Sequence, residues 1–139
     1  TYRSLRAYVF FGYTNLRQWD GKVAIDVLLK NQGTTPAEIT EWALYDDPVR
    51  QFQDEPHYPI EGQRKCALIL GNAVPWLVNE PRLLPAEDRV LYGFVRYKDI
   101  FGVTHTSRFC DALNGKALQG DKPRIDAQRH GGDKWSAWD

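Results

Sequence analysis

The stretch FVRYKDIFGVTHTSRFC (residues 94–110) holds Asp99, His105 and Cys110 together with Arg96 and Arg108. An acid, an imidazole and a thiol are the parts of a nucleophilic site, where a base takes the sulfur's proton and the acid orients the base. That chemistry requires the three side chains on one surface. The flanking residues argue against it. Residues 88–98 and 103–111 both alternate as strands, and Asp99 and Gly102 suit the first and fourth positions of a type I turn, where a left-handed Gly closes a bulged hairpin. In that register Gly93 faces Phe109, Val95 faces Ser107 and Tyr97 faces His105. Leu91, Gly93, Val95, Tyr97 and Phe109 then make an apolar face, with Phe109 over Gly93. Arg96, Lys98, Thr104, Thr106 and Arg108 make a solvated one. Asp99 belongs to the turn, and His105 and Cys110 project to opposite faces, because side chains alternate along a strand.

Other reactive types are scattered. His57, His105 and His130 lie far apart and share no metal-ligand spacing, so no metal and no cofactor is expected. Asp46-Asp47 and Asp54-Glu55 are adjacent acids in a proline-broken segment, whereas glycosidase chemistry needs two carboxyls facing each other across a cleft. The serines are Ser4, Ser107 and Ser136, and no G-x-S-x-G, phosphate-binding loop or dinucleotide fingerprint occurs. Ser107 reads as a packed hydroxyl. The expected class is therefore a non-enzyme. Cys66 and Cys110 would pair only with Cα atoms within about 7 Å, and two unlinked thiols are expected.

Aromatic residues offer binding instead of catalysis. Of Trp19, Trp42, Trp76, Trp135 and Trp138, Trp42 is a core candidate, and Trp76, between Pro75 and Leu77, is the best exposed one, followed by Trp135 and Trp138. Exposed tryptophans anchor protein partners or stack on sugar rings. Arg96, Lys98 and Arg108 form a basic row that suits an acidic surface or lipid headgroups. The chain's 18 basic and 18 acidic residues cancel, so no net field favours nucleic acid.

The elements that must position these residues are strands. At 139 residues the chain suits one domain with an unaided core. Residues 5–14 place Leu5, Ala7, Val9, Phe11 and Tyr13 on one side. Residues 22–31 place Val23, Ile25, Val27 and Leu29 inward and Lys22, Asp26 and Lys30 outward. Asp20-Gly21 turns between them. NQGTTPA breaks the ladder at Gly33 and Pro36. AEITEWALYD and RKCALIL are further strands, with residues 46–60 an irregular connection. NAVPWLVNEPRLLPAED, interrupted by prolines, gives at most an edge strand or a helical turn. The expected fold is all-β: an immunoglobulin-like sandwich of about seven antiparallel strands over residues 1–111, with residues 112–139 an irregular tail packed on the domain or on a partner. No apolar run is long enough to span a bilayer. The chain opens at Thr1, not methionine, as a processed product or part of a longer protein would.

RAYVFF, LLKNQGTTPAEI and GFVRYKDIFGVTHTSRFC, in this order over about residues 5–111, resemble a widespread group of uncharacterised bacterial proteins, common in proteobacteria. In those, one or two N-terminal transmembrane helices and a helical stalk lead into a small β-rich domain. The resemblance implies membrane association through a segment not in this chain, and it lends no activity. Cys66 is outside its pattern. The expected function is a non-catalytic interaction module or accessory subunit of a bacterial membrane-associated protein or complex, holding a protein partner by loop aromatics and the tail. The rival is a carbohydrate-binding module, with a glycan as ligand, marked by coplanar exposed aromatics. A hydrolase would need converging acids, or a His beside Ser or Cys.

Overall fold

Inward apolar residues at alternate positions make strands here, and two sheets close over them. The structure, a computed structural model, describes residues 5–52, 56–72, 75–77, 81–119, 121–131 and 136. Trp135, Trp138, Asp54 and Glu55 lie outside the described residues. The strands are β1 (Val9–Trp19), β2 (Lys22–Asn31), β3 (Ala37–Pro48), β4 (Gln63–Leu70), β5 (Trp76–Leu77), β6 (Arg82–Leu84), β7 (Arg89–Lys98), β8 (Thr104–Leu113) and β9 (Ala127–Arg129). A single helical turn, α1 (Gly115–Leu118), follows β8 and is capped by the Asn114 side chain.

The molecule is an all-β sandwich of two antiparallel sheets. One has the order β1-β2-β5, with β6 also pairing β2; the other has the order β4-β3-β7-β8-β9. This order is compatible with an immunoglobulin-like arrangement. The β1–β2 hairpin closes on Asp20 and Gly21, both left-handed at φ 49 and 76, as a two-residue turn between twisted strands demands. β1 runs further than residues 5–14: it continues through NLRQW to that turn, across a bulge between Thr14 and Arg17 where Asn15 is left-handed.

Two clusters fill the space between the sheets. Val9, Leu29, Ile39, Leu70, Val95 and Tyr97 lie in one, and Val23, Ile25, Leu44, Leu84, Leu91, Leu113 and Leu118 in the other. Trp42 is half-buried against both and meets Phe11 edge-on at 6.5 Å. A register shift between Ile39 and Glu41 lets β3 place Ile39 inward before it and Leu44 inward after it.

Two expectations need correction. The sandwich does not stop at residue 111. β8 runs to Leu113, α1 buries Leu118, and β9 pairs with Asp111–Leu113, so much of the segment read as a tail belongs to the domain. Of its described residues, Leu113, Ala117 and Leu118 are buried, which the sparseness of apolar residues there concealed. Nor is the outer face of the β7–β8 hairpin solvated throughout. Val90, Tyr92, Phe94 and Cys110 are buried there, beneath Tyr45, Phe52 and Tyr58. The proline-rich connection folds back to cover them.

Candidate functional site

The β7–β8 hairpin forms in the expected register, with Gly93 opposite Phe109, Val95 opposite Ser107 and Tyr97 opposite His105. Its turn follows the expected chemistry. The Gly102 N–H donates to the Asp99 carbonyl at 3.0 Å, the Asp99 N–H donates to the Val103 carbonyl at 3.0 Å, and Gly102 has φ +78. The Asp99 carboxylate also accepts the N–H groups of Phe101 (2.9 Å) and Val103 (3.0 Å), and its other oxygen is hydrogen-bonded to His105 Nε2 at 2.6 Å. The Asp99 side chain has no exposed surface, and His105 is nearly as deep.

This buried network fixes a tip with an unusual surface. Ile100, Phe101 and Val103 are 53%, 50% and 44% exposed. Large apolar side chains usually avoid a turn unless they meet something. The turn is legible in the sequence, and DIFGV declares its apolar surface as well. The Asp99–His105 pair was missed. Both are odd-numbered residues on the inward side of one hairpin, so the register itself carried that signal.

An acid bound to an imidazole is two-thirds of a triad. Ser107 lies on the same face, but its buried Oγ has no hydrogen-bond partner, so this serine is not bonded to the imidazole. Cys110 sits on the opposite face, and burial pushes its thiol up to about 12, away from the thiolate that nucleophilic chemistry requires. Cys66 is also free, and burial raises its thiol too. Asp46 and Asp47 diverge. Asp46 bonds Arg82 and Arg89, and Asp47 accepts the Tyr92 hydroxyl at 2.6 Å. Among the described residues, no group of three His, Cys, Asp or Glu side chains stands close enough to share a metal ion.

Among the described residues, the other candidates do not assemble into one site. Trp76 is not an exposed platform: it is half-buried, lies opposite Leu29 and packs on the core. Arg96 is ion-paired with Glu41, and its guanidinium lies 4.6 Å over the Phe94 ring. Lys98 and Arg108 are exposed, next to the tip and farther along the outer face respectively. Trp19 is 58% exposed beside the Asp20-Gly21 turn, at the end of the sandwich opposite Phe101.

No family model matches the chain, and no curated protein matches it. A solved structure described as Northeast Structural Genomics Consortium target SoR45 is similar over 92% of this chain and 98% of its own, at 12% identity and a TM-score of 0.47. Among the described residues, no helix is long and apolar enough to cross a membrane.

Proposed function

We propose that the chain is a non-catalytic interaction module that binds a protein partner through the β7–β8 hairpin tip. The observation that carries this reading is the exposure of Ile100, Phe101 and Val103 on a turn held by the buried Asp99–His105 pair. A tip already fixed in one conformation loses little entropy on docking, and that saving favours affinity. Each half-exposed side chain has roughly 1 kcal/mol still to gain from full burial. Lys98, beside the tip, supplies a polar rim. Trp135 and Trp138 stay in this proposal as tail contacts. The setting in a bacterial membrane-associated protein or complex rests on the resemblance of RAYVFF, KNQGTTPA and YKDIFG alone. A glycan platform is less well supported, because the exposed rings of Trp19 and Phe101 stand at opposite ends of the sandwich.

The test is recovery of partners from detergent-solubilised native membranes, with the full-length protein as bait. An Ile100→Ser, Phe101→Ser double variant is the control, checked for an unchanged urea midpoint. A stoichiometric partner held by the parent and lost by the variant is the expected result. A partner held equally by both would remove the tip from the interface.

A further inference from the structure

A cavity of about 90 Å³ opens between β1 and β8, one strand from each sheet. Phe11, Tyr13 and Phe109 line it with aromatic surface, and Ser107 and Asp111 line it with polar groups. Phe11 and Phe109 lie 4.8 Å apart between ring centroids, and Tyr13 meets Phe109 edge-on at 6.4 Å, so the three rings form one wall. A mostly apolar recess with a few convergent polar groups is the usual form of a small-molecule site.

Both polar groups have hydrogen-bonding capacity to spare. Ser107 is 5% exposed, and its buried Oγ has no hydrogen-bond partner. Asp111 is half-buried, and its carboxylate accepts a bond from the Tyr13 hydroxyl at 3.4 Å. Among the described residues no ion pair offsets its charge. Arg129 lies opposite Asp111 in the ladder, but its guanidinium donates to the Ser136 carbonyl at 2.7 Å. Arg108 also borders the cavity, yet it shares the outer face with Phe94, and its charge acts on Tyr58 there. A carboxylate withdrawn from water without a counter-charge is costly, and a bound cation would remove that cost. The aromatic wall favours a cation as well.

We propose that this seam is a binding site for a short linear primary ammonium with a hydroxyl at its far end. The ammonium donates to the Asp111 carboxylate, the stem lies along the Phe11–Phe109 wall, and the hydroxyl bonds Ser107 Oγ. Ser107 and Asp111 stand on the same face of β8, four residues and roughly 13 Å apart along the strand. Their side chains and a three-carbon ligand with a hydrogen bond at each end can bridge that span. Size agrees: a cavity of about 150 Å³ admits benzene, so this one suits about four or five heavy atoms.

Titration of the full chain with aminopropanol, its two groups at opposite ends, tests the proposal by amide NMR. Saturable shifts centred on Ser107, Phe109 and Asp111 are expected. Two probes with the same number of heavy atoms separate the two ends. Propanediol lacks the charge and is expected to bind roughly tenfold or more weakly. Asp111→Asn should abolish that difference. Butylammonium lacks the hydroxyl and is expected to bind about threefold or more weakly than aminopropanol. Ser107→Ala should bring those two level. Shifts that do not saturate would overturn the proposal and leave the cavity to water. A preference for ammonium over propanediol that survives in a folded Asp111→Asn variant would overturn it too. Equal binding of butylammonium and aminopropanol to the parent would overturn the role given to Ser107.

Discussion

Asn31 is a polar side chain at a buried position, and all four of its hydrogen-bonding sites are used. Its Oδ1 accepts the N–H groups of Tyr8 (3.2 Å) and Gly33 (2.9 Å), and its Nδ2 donates to the carbonyls of Thr35 (2.8 Å) and Leu70 (3.0 Å). A buried amide is tolerable only when satisfied in this way. KNQGTTPA was legible as a break in the ladder, but Asn31's role was not, because Tyr8 and Leu70 are remote in sequence. Asp111 is a less comfortable case. It is half-buried, accepts the Tyr13 hydroxyl at 3.4 Å, and has no ion pair among the described residues. Burial raises its carboxyl above the usual range, more than the Tyr13 bond lowers it. A raised folded value means that the neutral form favours folding. That stability is fully present below the unfolded value of about 3.9 and is lost as pH rises through the folded one. Asp111→Asn is therefore expected to be more stable than the parent at pH 7, with the difference vanishing near pH 3. Urea denaturation at the two pH values measures this. A variant less stable at pH 7 would mean that the Tyr13 bond outweighs the cost of burial.

At the scale of elements, the β7–β8 hairpin was readable because its determinants are local: an Asp and a Gly at fixed turn positions, and clean alternation on both sides. Gly93 shows where that local reading ended. Its place opposite Phe109 suggested that the ring needed the space, yet Phe109 leans on Phe11 at 4.8 Å. What excludes a side chain is the next strand, since a Cβ on Gly93 would stand 2.0 Å from the Ala43 carbonyl oxygen. The β3 backbone cannot yield without opening the ladder. Gly93→Ala is expected to cost about 3 kcal/mol or more, whereas Gly71→Ala, in open space, should be near neutral. Equal urea midpoints for the two variants would refute this account. The cluster of Tyr45, Phe52, Tyr58 and Tyr92 was not legible for a related reason. Alternation shows which residues leave a strand on the same side, but not which distant loop returns to cover them.

At the scale of the whole molecule, one carboxylate ties the two sheets. Asp46 of β3 accepts Arg82 of β6 at 2.6 Å and Arg89 of β7 at 2.9 Å, and Arg89 also holds Glu87 at 2.7 Å. Arg82 belongs to the four-stranded sheet and Asp46 to the five-stranded one. Asp46→Asn removes the charge between two guanidinium groups and is expected to cost about 2 kcal/mol, since charge-assisted bonds at a mostly buried carboxylate are the strong ones. A loss below about 0.5 kcal/mol in urea denaturation would assign the sheet contact to apolar packing alone. The Asn31 network has a mechanical consequence. Its bonds, with those from Gln32 N–H to the Tyr8 carbonyl and from the Thr35 hydroxyl to the Leu5 carbonyl, pin Leu5–Tyr8 before β1 begins. A pull on the chain at Leu5 loads this clamp ahead of any strand ladder. The clamp therefore acts as a strain relief: it passes the load to the end of β2, and the β1 ladder bears it only after the clamp parts.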